Sequence, residues 1–179
     1  MKLSILLLFS VITCMTTTHG QEAFTFSKGF TKKLQRAGIE FYTPADQWLK
    51  LTSQKKDRFL KYDAVLESPG AFEMRVLIKN ESRNRPIHPH VEMIAMINSI
   101  STNNEDANIR IAQFPEEHVR FQYHADWGIY SDFVPKTSFS TYTKGRVLSL
   151  YKEGQALATC IILYDDELDP YHQMPLRFL

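Results

Sequence analysis

The stretch that most limits the fold is Ala156–Leu163, ALATCIIL, whose two alternating faces both read as apolar. A strand of that kind has to be a central strand covered from both sides, so the chain needs a sheet with other elements packed above and below it. The material for such a core is present, with 44% hydrophobic residues including 12 Phe and 8 Tyr. Only 7 Gly and 8 Pro occur, which excludes disordered, collagen-like and low-complexity readings of the whole chain.

The neighbouring segments supply the rest of the sheet. Arg146–Lys152 reads as the strand before the central one, with Glu153-Gly154 as a tight hairpin turn, and Ile129–Val134 reads as another. Leu60–Glu67 and Phe72–Lys79 are separated by the turn signal Ser68-Pro69-Gly70-Ala71, which predicts an antiparallel pair. Ile39–Tyr42 and Trp48–Leu51 are shorter extended candidates on either side of a turn at Pro44-Ala45-Asp46. Three helices complete the pattern. Phe30, Leu34 and Ala37 recur at helical spacing over 29–37, and Gly38 is placed to stop that helix. Met93, Met96, Ile97 and Ile100 mark a second helix, with Val91, Ile94 and Ala95 widening its apolar surface, so it is expected to lie deep against the sheet. Pro115 with Glu116 and Glu117 opens a third, ending near Ala125. The expected fold is α+β, an antiparallel sheet flanked by about three helices in a single-domain sandwich.

Residues 1–20 read as a secretory signal peptide: Lys2 gives the positive end, Leu3–Met15 an apolar run, and Thr18 and Gly20 the small residues before Gln21. Val11-Ile12-Thr13-Cys14 offers an alternative, a degenerate lipobox in which an acylated Cys14 becomes the anchor. The address is therefore secreted or periplasmic, and 21–179 forms the globular domain. Roughly 160 residues suit one domain of ordinary size. No later stretch is long and apolar enough for a transmembrane helix. Loss of the leader takes Lys2 and Cys14 with it. The 21 Lys+Arg and 20 Asp+Glu then balance, which argues against a nucleic-acid binder or a polybasic membrane protein. Cys160 is left alone, so no intramolecular disulfide can form and the packed core carries the stability. Asn80-Glu81-Ser82 is a formal glycosylation sequon, relevant only in a eukaryotic source.

Gly38-Ile39-Glu40-Phe41-Tyr42-Thr43-Pro44-Ala45-Asp46-Gln47-Trp48, followed by a strand pair, a helix and a late hairpin, resembles the opening of Mog1/PsbP-like domains. The Ala125-Asp126-Trp127-Gly128 segment running into Ile129–Lys136 is similar to uncharacterised secreted bacterial proteins. The first resemblance implies a non-catalytic accessory or assembly domain.

The candidate sites are few. His88-Pro89-His90 puts two imidazoles on one side of an extended segment, where zinc is a possible cofactor if Glu92, His118 or His124 converges as third ligand. The alternative is that His88 caps the second helix, Pro89 starts it and His90 faces solvent. His124 near Asp126 has the form of the orienting half of a catalytic triad, but no G-x-S-x-G supplies a nucleophile. Cys160 falls inside the apolar central strand, where burial suppresses its thiolate. Asp165, Asp166, Glu167 and Asp169 form an acidic run without EF-hand spacing, and Arg83 and Arg85 lie in the connecting loop 80–86. Phosphate-cradling glycine motifs are missing, which disfavours nucleotide cofactors. Trp127 and Tyr130, around Gly128 read as a turn, are the candidate interaction surface, with a tryptophan at the edge of the core as the plainer reading.

The functional expectation is an exported, monomeric or weakly associating domain that binds an unknown protein or small molecule and has no catalytic centre or cofactor of its own. The alternatives are a metal-dependent envelope hydrolase using His88 and His90, and a small-ligand carrier whose aromatic residues line a cavity.

Overall fold

A computed structural model of the chain describes residues 26–42, 50–51, 58–68, 72–103, 109–166 and 174–179. In order these form α1 (Lys28–Ala37), β1 (Ile39–Phe41), β2 (Lys50–Leu51), β3 (Ala64–Ser68), β4 (Phe72–Asn80), α2 (Pro89–Ile100), β5 (Arg110–Gln113), α3 (Glu116–Tyr123), β6 (Trp127–Phe133), β7 (Lys144–Lys152), β8 (Ala156–Tyr164) and β9 (Leu176–Phe178). The leader with Cys14, the Pro44 turn, Trp48 and the acidic residues Glu167 and Asp169 lie outside the described residues.

Strand β8 is buried at every position, as its two apolar faces require. It sits at the centre of a seven-stranded sheet of order β2-β3-β4-β8-β7-β6-β5, in which all pairings are antiparallel. The fold is α+β, with helices on both sides of that sheet.

One face of the sheet, carrying Leu66, Met74, Val76, Leu150, Cys160 and Ile162, packs under α1, α3 and a two-stranded ribbon of β1 with β9. The sequence explains α1 closely. Ser27 Oγ accepts from the Phe30 N–H at 3.2 Å, Phe30, Leu34 and Ala37 point inward, and Gly38 ends the helix in the left-handed region at φ 61°. Phe30 and Leu34 each contribute about 1.5–3 kcal/mol of transfer free energy, and the Ala37 methyl about 0.8 kcal/mol. Strand β9 is too short to show a period in the sequence, yet Leu176 and Phe178 are buried and Arg177 pairs with Glu40 across the ribbon. Strand β3 begins later than expected. Asp63 bends the chain and its Oδ2 accepts the Ile78 N–H at 2.7 Å, taking the place of a strand carbonyl, while Lys33 holds the same carboxylate at 2.7 Å.

The other face, with Val65, Ile129, Phe133, Val147, Leu157, Ile161 and Leu163, packs under α2 and Phe139 of the loop before β7. Helix α2 has no basic residue in its last turn, and Lys136 supplies one from that loop, its Nζ donating to the carbonyls of Asn98 and Ser99 at 3.0 and 2.8 Å. Met93, Ile97 and Ile100 are buried, but Val91 and Ile94 are 66% and 51% exposed and Ala95 is exposed too. The helix therefore lies on the sheet by one stripe only, and its remaining apolar residues face outward.

Gly128 corrects a second expectation. It is an interior residue of β6, paired with Leu150, and makes no turn. A Cβ there would come within 2.9 Å of Leu150 Cδ2 and 3.1 Å of both Phe114 and Val119, so its missing side chain is what lets α3 approach the sheet. The third helix also starts one residue later than expected, with Pro115 as its N-cap, and ends at His124 in the left-handed region at φ 52°.

Candidate functional site

The N-terminal end of α2, the loop after β4 and the β7–β8 hairpin converge at one end of the sheet. The loop is tied down by Glu81. Its carboxylate accepts the Ile87 N–H at 2.8 Å, the Tyr151 hydroxyl at 2.9 Å and the Gly154 N–H at 2.7 Å. These donors, first the Ile87 amide and then the Tyr151 hydroxyl, hold the Glu81 carboxyl below its ordinary range. Tyr151 is moved the opposite way, up to about 12, by burial and by its bond to Glu81. Between loop and hairpin opens a cleft of about 540 Å³, lined by Glu81, Arg83, Ile87, Tyr151, Glu153 and Gly154 among others.

His88 and His90 sit on the rim of this region without forming one ligand set. His88 is the exposed N-cap of α2 and makes no side-chain capping bond, Pro89 follows at the first helical position, and His90 is already helical. Two residues apart on a helix, side chains diverge, so the same-side geometry expected of an extended segment is lost. The His90 ring instead meets Trp127 edge to face at 4.8 Å. Of the candidate third ligands, Glu92 is paired with Lys79, and His118 and His124 belong to α3 and its cap, across the sheet from α2. Among the described residues no three His, Cys, Asp or Glu side chains come together as a metal site.

Trp127 and Tyr130 do not share a surface. Three residues apart on a strand, they project to opposite faces. Trp127 is 9% exposed beneath His90, and its buried Nε1–H has no hydrogen-bond partner. Tyr130 is half-buried on the α3 side, 5.2 Å from Phe114 and with Arg146 above its ring at 6.0 Å. His124 and Asp126 likewise go separate ways. His124 Nδ1 lies 3.0 Å from the Phe178 carbonyl, which can only accept, so Nδ1 carries the proton, while Asp126 Oδ2 accepts from the Glu153 amide at 2.9 Å. Cys160 is wholly buried and burial pushes its thiol pKa far up. Asp165 is occupied with the Thr143 amide and hydroxyl, and Arg83 and Arg85 are exposed in the loop.

One buried constellation escaped the sequence reading. Glu73 and Arg75 are both buried on the α2 side of β4, with Arg75 Nε 2.6 Å from Glu73 Oε1 and Nη1 3.0 Å from the Tyr62 hydroxyl. The guanidinium lies between the rings of Phe139 at 4.5 Å and Tyr62 at 5.1 Å. Burial works against its charge, but the hydrogen bonds to Glu73 and Tyr62 outweigh that and raise its pKa. Phe72, Met74, Val76 and Ile78 alternating with Glu73 and Arg75 read as a strand with a solvated face, and the return of Tyr62 and Phe139 from distant loops is what covers it.

Comparison of the chain with known families, with curated proteins and with solved structures finds no match. No helix among the described residues is long and apolar enough to cross a membrane.

Proposed function

We propose that this is an exported binding or assembly domain with no catalytic centre of its own, acting through the outer flank of α2 and the adjoining edge of the sheet. The observation that carries the reading is the set of large aliphatic side chains held in water there: Val91 and Ile94 on α2, and Ile109 and Ile111 at β5, the last two 37% and 50% exposed. The placement follows from its neighbours. Glu92 pairs with Lys79 of β4 and His90 meets Trp127 of β6, so α2 has one flank toward each strand. Ile94 follows His90 by one turn and thus faces β6 and, beyond it, β5. Large aliphatic side chains held exposed on neighbouring elements are the usual mark of an interaction surface. The likeness of residues 38–48 to the opening of Mog1/PsbP-like domains points the same way, and residues 1–20 support export or, through Cys14, lipid anchoring.

The test is in-cell cross-linking of the native chain against Ile94→Glu. The substitution is at an exposed site and should change stability by no more than about 0.5 kcal/mol, while the cross-linked partner is lost. A partner retained by Ile94→Glu would move the binding face elsewhere. A small-ligand carrier is the second reading, favoured by the cleft beside Glu81, whose volume of about 540 Å³ falls in the range of small-molecule sites. A zinc-dependent hydrolase built on His88 and His90 would return to consideration with a tightly held metal abolished by His88→Ala.

A further inference from the structure

We infer that the occupant of this edge is a second copy of the same chain, joined β5 to β5 in antiparallel register about Ile111. The inference rests on the reading of the chain as a binding domain and names its partner. The sheet has two edges. Among the described residues β2 has two residues and β5 has four, IRIAQ from Ile109 to Gln113 contains no Pro or Lys, and no described strand lies on the outer side of β5. An edge without a neighbouring strand offers a row of N–H and C=O groups with which another chain can pair.

The direction of the backbone groups selects the register. Phe114 N–H donates inward to the Gly128 carbonyl at 3.0 Å, and in an antiparallel strand alternate residues turn their N–H and C=O to alternate sides. Ala112 and Arg110 therefore bond inward to β6. Ile109, Ile111 and Gln113 turn theirs outward. Pairing two copies about Ile111 sets Ile111 against Ile111 and Ile109 against Gln113, so every outward group on these three residues finds its complement. The side chains fit as well. Arg110 stands opposite Ala112 of the other copy, so no like charges meet across the junction, and within its own chain Arg110 is already across from Asp132. Ile111 is across from Ser131 of β6, whose neighbours Ile129 and Phe133 lie under α2, so Ile111 is on the α2 side. Both Ile111 side chains then meet on that side, with Ile109 two residues away and Ile94 of each α2 leaning toward them. The product is one continuous sheet through both chains, with its two α2 helices on the same face.

Sedimentation equilibrium and amide hydrogen exchange of the chain from Gln21 onward test this together. The expected result is a concentration-dependent dimer in which the amides of Ile109, Ile111 and Gln113 gain protection on association, while those of Arg110 and Ala112 are protected in both states. Ile111→Lys should weaken the dimer at least tenfold without changing the melting temperature appreciably, and Phe121→Lys, at an exposed site of α3 on the opposite face of the sheet, should leave it intact. A dimer indifferent to Ile111→Lys overturns the proposal. So does a chain that stays monomeric to about 1 mM. A monomer whose β5 amides are protected only by a cross-linked foreign partner overturns the second copy while leaving the binding-domain reading in place, and a monomer with no partner removes both.

Discussion

The ring of Phe133 lies across Gly145, its β7 partner, so closely that a Cβ on Gly145 would stand 2.4 Å from Phe133 Cζ. The missing side chain gives Phe133 its place in the core between α2 and the sheet. Gly145→Ala must displace that ring and is expected to cost about 1–3 kcal/mol, measured by chemical denaturation. The paired change Gly145→Ala with Phe133→Leu should recover part of the loss, because the obstructing ring is gone.

Trp127 is expected to behave as a core residue. Its burial beneath His90 predicts that Trp127→Ala lowers stability by about 3–5 kcal/mol, seen as a sharp fall in melting temperature. Unchanged stability would mean that the indole is a surface anchor after all.

The Glu81 latch gives the chain opposite responses at the two ends of the pH scale. A carboxyl whose pKa is depressed on folding stabilises the fold above its unfolded pKa, about 4.3 for Glu, and that contribution is lost as pH falls from there through the lower folded value. Tyr151 is raised on folding to about 12. It stabilises the neutral phenol below its unfolded pKa of about 10, and the contribution is lost as pH climbs from about 10 toward 12. Subtracting the pH–stability curve of Glu81→Gln from that of the native chain should reveal the acid limb, and Tyr151→Phe the alkaline one. Flat difference curves would show that the latch carries no stability.

The Glu73–Arg75 pair should be costly to break on one side only. Arg75→Met leaves a buried carboxylate and is expected to cost about 3–5 kcal/mol, whereas Glu73→Leu with Arg75→Met should cost less than the sum of the two single changes. A double-mutant cycle by urea unfolding measures the coupling.

The legible parts of this fold are those in which the local pattern and the tertiary environment agree. Every position of Ala156–Tyr164 is buried because no alternate set of its side chains suits water, and α1 shows its apolar stripe and its Gly38 stop in the local sequence, though not its Ser27 cap. Where cover comes from distant loops, the pattern misleads: Glu73 and Arg75 alternate with apolar residues as a solvated face would, and Tyr62 and Phe139 are what hide them. The converse holds on α2, whose apolar residues on all sides suggest full burial, although one stripe of three suffices to seat it. Trp127 and Tyr130 share a surface only if Gly128 turns the chain between them; Gly128 continues the strand, whose two-residue period separates them. His88 and His90 diverge for a similar reason, since the helix begins between them.

Native mass spectrometry of the exported chain, purified without added metal, tests the central claim most directly. The account predicts a polypeptide beginning at Gln21, free of zinc and of any retained small molecule, with dimers growing in as concentration rises. One zinc per chain lost in His88→Ala, or a small molecule retained at one per chain, would contradict it.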